Sequence, residues 1–177
     1  LSDSPPERDA QWTTGGVQGA WRFVSRAWEE FDAQPAPGPE AAPDEAATEL
    51  RRATHKTIKA VTDAIEGFHF NVGIARLYEF LHLLKANPAK AASLAVLIAR
   101  REALTAFARL IAPFTPHLAE ECWARVGGAG MLASESGARV VTSDFFGFWW
   151  DPTDLDDDEL AAIEDDAEVE LDDLPIP

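Results

Sequence analysis

Between Val17 and Val126 the apolar residues return every third or fourth position, in runs that stop at proline or glycine clusters. That spacing puts each run on one side of a 3.6-residue helix and does not fit the period of two of a half-buried strand. A helix with a single apolar stripe must bury it against another element, so the runs have to pack on one another.

The first run starts near Gln11, after an extended entry at Pro5-Pro6, and places Val17, Trp21, Val24, Trp28 and Phe31 on one face. Arg22, Arg26 and Glu29 fall between them on the outer side. Residues 33–43 hold four prolines and a glycine, a density no helix survives, and read as a solvated connector. Asp44 is a plausible N-cap for a second helix with Leu50, Thr54, Ile58, Val61 and Ile65 inward, ended by Gly67. A third run from Phe70-Asn71 buries Ile74, Leu77, Leu81 and Leu84 and stops at Asn87-Pro88. A fourth extends from about Ala89 to Ala112, with Leu94, Leu97, Ile98, Leu104, Phe107 and Ile111 inward. Thr115 is then expected to cap a fifth helix with Pro116 at its first position and Leu118, Ala119, Cys122, Trp123 and Val126 inward, ended by Gly127-Gly128. The expectation is an all-α antiparallel bundle of about five helices over residues 1–130.

Residues 131–177 read as an acidic, partly disordered tail rather than an independent domain. Val140-Val141 and Phe145–Trp150 could form a strand or a hydrophobic hook, and Glu159–Ile163 a short helix. The formal charge of -16 is a property of this tail. Residues 1–130 carry 14 Lys and Arg against 16 Asp and Glu, while residues 131–177 carry one Arg against 15 acids. Residues 51–109 are basic, 10 against 4, so the overall charge does not exclude a nucleic-acid partner.

Catalytic and metal signatures are weak. No two of His55, His69, His82 and His117 lie at i, i+4, and the single Cys122, on an inward face, permits neither a disulfide nor a cysteine zinc site. Gly127–Gly130 lacks the strand and the Lys-Ser/Thr of a phosphate loop, and the acidic run at Asp154–Asp158 lacks the glycine and glutamate of a calcium loop. No catalytic or metal-binding residue is assigned. No apolar run approaches a membrane span, no secretory signal is present, and a cytoplasmic setting is expected.

The strongest functional pattern is a stripe on the second helix: Arg51, Arg52, His55, Lys56 and Lys59, at offsets 0, 1, 4, 5 and 8. Such a stripe can neutralise phosphates and read a backbone rather than a base sequence. Arg22 and Arg26 add a second basic pair, and Trp12 is a candidate platform for an unpaired base. The competing reading is a stand-alone helical module whose acidic tail engages a basic protein.

Three stretches carry a family resemblance. IAPFTPHLAEECW at Ile111–Trp123 is similar to a helix junction in the tRNA-binding part of class I aminoacyl-tRNA synthetases. LSDSPPERDAQWTTGGVQGAWRFVSRAWEEF and LRRATHKTIKAVTDAIEGFHFNVGIARLYEFL resemble the anticodon-binding domain of bacterial leucyl-tRNA synthetases, with SPPERD, HKTIK and FHFN pointing to leucine. The resemblance spans about residues 1–128. It implies a helical bundle docking near the anticodon stem of tRNA(Leu), mainly through the phosphate backbone. It also implies a longer, monomeric parent enzyme in which ATP and Mg drive leucylation elsewhere, because the HIGH and KMSKS motifs do not occur in these residues. The resemblance fades after Gly130, where a Trp-Pro linker and a small α/β domain would follow in that family; a fragment, a shifted reading frame and a divergent terminus all fit.

Overall fold

Five α-helices and no strand form among the residues the computed structural model describes, 13–32, 42, 44–89 and 92–134. All lie within one compact unit. The expected roles of Pro5-Pro6, Trp12, Val140-Val141, Phe145–Trp150 and Glu159–Ile163, and most of the connector at 33–43, lie outside the described residues. No helix among the described residues is long and apolar enough to cross a membrane.

The helices are α1 (Thr14–Asp32), α2 (Glu45–Glu66), α3 (Phe70–Ala86), α4 (Leu94–Ile111) and α5 (Pro116–Arg125). Tertiary contacts fix their directions. Asp44 and Ser93, just ahead of α2 and α4, bond each other and Arg51 of α2 pairs with Glu102 of α4, so these two run parallel. Likewise the Tyr78 hydroxyl of α3 donates to the Gly19 carbonyl of α1, and Leu84 of α3 and Glu30 of α1 share Arg100. Arg125 of α5 reaches Asp32 at the end of α1. Successive helices therefore alternate in direction, as expected of an antiparallel bundle. Helix α4 is central, packing on α2, α3 and α5, and α1 packs on α3 and α5. Phe107 of α4 anchors the core, with Phe23, Phe31 and Phe80 ringed around it at centroid distances of 6.3, 6.1 and 5.9 Å.

Two caps lock one end. The Asp44 carboxylate accepts from the Ala47 N–H at 2.8 Å and from the Ser93 hydroxyl at 2.5 Å. Ser93 in turn accepts from the Val96 N–H at 3.2 Å. One acidic side chain thus joins the N-termini of α2 and α4. The cap at Ser93 explains why α4 begins at Leu94 and not at Ala89.

Three expectations are corrected. On α1 the buried stripe is Phe23, Ala27 and Phe31; Val17 and Trp21 are exposed, Trp21 at 70%, and Val24 and Trp28 are half-buried. Two apolar stripes overlap on this helix and share Phe31, and the one whose rings surround Phe107 wins. Trp28 instead lies under the Arg125 guanidinium, 4.6 Å from its ring centroid. On α4 Leu94 is exposed, because the helix buries small residues such as Ala95, Ala99 and Ala103 around most of its circumference. Thr115 stands at the N-cap of α5 but makes no side-chain cap, since its hydroxyl donates back to the Ile111 carbonyl at 3.2 Å.

The chain stays docked beyond Gly130. A 3-10 turn at Leu132–Ser134 buries Leu132, and the Glu120 carboxylate accepts from the Leu132 and Ala133 N–H groups at 2.8 and 2.9 Å. Gly128 is required there, as a Cβ would fall 2.0 Å from Trp123 Cε2.

Candidate nucleic-acid interface

The basic residues of α2 divide into two ridges. Arg51 and His55, four apart, turn toward α4. Arg51 donates to Glu102 through Nε at 2.7 Å and Nη2 at 3.1 Å, a bidentate pair whose side chains are each 33% exposed. The carboxylate secures the guanidinium's charge, against the smaller effect of burial. Burial pushes His55 below its ordinary pKa, with Glu102 opposing and Arg51 reinforcing, so it is a neutral imidazole at pH 7. Arg51 therefore ties α2 to α4, with His55 half-buried one turn along.

The outer ridge is Arg52, Lys56 and Lys59, spaced four and three apart and all exposed. Lys59 pairs with Asp63 one turn on, at 2.9 Å, with both side chains more than half in water. A solvated i, i+4 pair is worth only a few tenths of a kcal/mol, so Lys59 can turn to another anion at little cost. Arg22 and Arg26 are exposed on α1. They sit on a different helix from the α2 ridge, and both helices pack on α3. Trp12 lies outside the described residues.

Sequence periodicity missed two aromatic features and one charge. Trp21, assigned to the core by spacing, stands in water beside Arg22. Phe68, in the turn between α2 and α3, is 69% exposed with φ of 59°. Arg100 on α4 is 1% exposed and holds three elements together, donating to Glu30 of α1 and to the Leu84 and Asn87 carbonyls at the end of α3. The aliphatic composition of α4 gave no signal for Arg100; for Phe68 the adjacent Gly67 did mark a helix end.

Among the described residues no group of three or more His, Cys, Asp or Glu side chains is arranged to hold a metal ion. Cys122 is buried, and burial, aided by Glu121 and opposed by Arg125, pushes its thiol up to about 12. It is no nucleophile at neutral pH. The surface offers cations and aromatic rings, the chemistry that meets phosphates and bases.

Comparison with known proteins agrees with this chemistry. Residues 47–145 match the family model described as the anticodon-binding domain of tRNA ligase. The chain is 66% identical over 134 residues to the leucine–tRNA ligase of Caulobacter vibrioides, covering 75% of this chain and 15% of that protein. It is 64% identical over 135 residues to that of Phenylobacterium zucineum, covering 75% and 16%. It therefore spans about a sixth of the length of these relatives. The crystal structure of an Agrobacterium radiobacter K84 LeuRS–tRNA–LeuAMS ternary complex superposes with a TM-score of 0.57 at 27% identity, covering 75% of this chain and 18% of that one.

Proposed function

Since this chain belongs to the anticodon-binding domains of tRNA ligases, we propose that it is the tRNA-binding part of a leucine–tRNA ligase, and that it grips the phosphate backbone of tRNA(Leu) through the outer ridge of α2. The observation that carries this reading is the placement of Arg52, Lys56 and Lys59 together in water on one helix inside the family-matched stretch, while Arg51 and His55 are turned inward. Its support in kind comes from a similar fold found in a LeuRS complex with tRNA.

Phosphate contacts of this sort release counterions, so affinity falls with salt in proportion to the number of phosphates neutralised. In this reading leucine activation with ATP and Mg2+ takes place outside these residues, in a monomeric cytoplasmic enzyme.

The test is tRNA(Leu) binding across a salt series for the wild type and for a triple charge reversal, Arg52→Glu, Lys56→Glu and Lys59→Glu. The slope of log affinity against log salt should flatten by roughly two to three, about one per lost phosphate contact. An unchanged affinity and slope in the triple variant would sink the proposal.

A further inference from the structure

The turn joining α2 to α3 is built around a residue that does not suit it. Three backbone bonds close the end of α2: Gly67 N–H to Asp63 at 2.9 Å, Phe68 N–H to Ile65 at 3.1 Å and His69 N–H to Ala64 at 2.7 Å. The last two are the pair that define a Schellman motif, which places the residue after the C-cap in the left-handed region, where glycine is favoured. Here the C-cap is Gly67, at φ -80°, and the left-handed position falls to Phe68, at φ 59°. A phenylalanine there is strained, and strained residues persist where surrounding structure holds them and cluster at functional sites.

What holds this one is a chain of rings. Phe68 meets Phe70 edge-on at 5.8 Å, and Phe70 meets Phe114, from the turn between α4 and α5, edge-on at 6.5 Å. Only the outermost ring is in water, Phe68 being 69% exposed. A docking surface for a protein would need a contiguous apolar patch. Phe68 is instead a single ring flanked by exposed Gly67 and His69, at the end of the helix that carries Arg52, Lys56 and Lys59. At 1.5 Å per residue, Lys59 lies about 13 Å along the chain from it.

We propose that Phe68 is a preorganised stacking platform for one unpaired base of the RNA whose phosphates run along the outer ridge of α2. This rests on the RNA-binding reading above and adds to it a base contact, without sequence discrimination, since every base offers a π-face. The left-handed turn aims the ring outward, and the Phe70–Phe114 support keeps it there before RNA arrives.

The experiment compares Phe68→Gly, Phe68→Ala and Phe68→Trp in the 177-residue chain. Affinity is measured over a salt series for a leucine tRNA transcript and for a fully paired RNA duplex. Loss of the ring should weaken tRNA binding roughly 5- to 100-fold, the range of one stacked base. The salt slope and duplex affinity should stay as in the wild type, and Phe68→Trp should restore binding. Phe68→Gly suits the turn better than the wild-type residue, so its loss of affinity would not reflect misfolding. A Phe68→Gly protein that binds tRNA as tightly as wild type overturns the proposal. If the triple reversal on α2 still weakens binding in that case, RNA binding by α2 stands and only the stacking role falls. If the wild type binds neither RNA, both fall together.

Discussion

Replacing Glu30 by alanine should destabilise the bundle more than any change on its basic surface. Arg100 is 1% exposed and carries a permanent charge. Among the described residues its guanidinium pairs with the Glu30 carboxylate, at 16% exposure, and donates to the Leu84 and Asn87 carbonyls. Removing one member of a buried ion pair costs about 3–5 kcal/mol, because the other charge stays behind unneutralised. Glu30 lies at the edge of the core, where water can partly replace it, so the lower end, about 3 kcal/mol, is expected. Replacing the arginine instead, as Arg100→Leu, removes the charge that needs neutralising and leaves a carboxylate that can reach water. The Leu84 carbonyl keeps a bond from the Asn87 N–H at 3.2 Å. That variant should cost less, about 1–2 kcal/mol for the remaining unsatisfied polar atoms. Urea denaturation followed by far-UV circular dichroism reads both, and at 1–3 kcal/mol per molar the Glu30→Ala midpoint should fall by about 1–3 M. A loss under about 1 kcal/mol in Glu30→Ala, or a larger loss in Arg100→Leu, would refute the reasoning from uncompensated buried charge.

Three further outcomes follow from single sites. At position 68, glycine should be more stable than alanine by about 1 kcal/mol, since both lack the ring and only glycine fits the left-handed backbone; equal thermal midpoints would show that the turn relaxes. The Cys122 thiol, pushed up to about 12, should react with a disulfide reagent at pH 8 about a thousandfold more slowly than an ordinary cysteine and at a normal rate in denaturant; fast native labelling would contradict its burial. The Ser93 hydroxyl and the Ala47 N–H hold the Asp44 carboxyl below its ordinary pKa. A depressed carboxylate contributes stability that is present above its unfolded pKa and lost as pH falls through the folded one. The thermal advantage of wild type over Asp44→Asn should therefore be full at pH 7 and shrink below about pH 4; a flat difference across that range would count against the cap.

How far the sequence could be read depended on whether each helix offers one apolar stripe or several. Helix α2 has one, so Leu50, Thr54, Ile58 and Val61 are buried as their spacing requires and Asp44 caps where expected. Helix α1 has two that overlap, and only the arrangement around Phe107, more than seventy residues away, decides for Phe23 over Trp21. Helix α4 is apolar or small on nearly every side, so no face can be picked from periodicity, and an arginine within it looks like surface until Glu30 and the end of α3 converge on it. The basic stripe shows the same limit in charge. Offsets along α2 placed five residues on one broad side, but Glu102 lies fifty-one residues beyond Arg51, and no local pattern reveals that it draws Arg51 inward. Gly67 marked the end of α2, yet the geometry of that end rests on the next residue, because the Schellman bonds put the left-handed turn at Phe68. Spacing along a helix fixes which side chains share a ridge. Which ridge is drawn inward is set by charges and rings that reach it from elsewhere in the chain: Glu102 takes Arg51, while Arg52, Lys56, Lys59 and Phe68 are exposed.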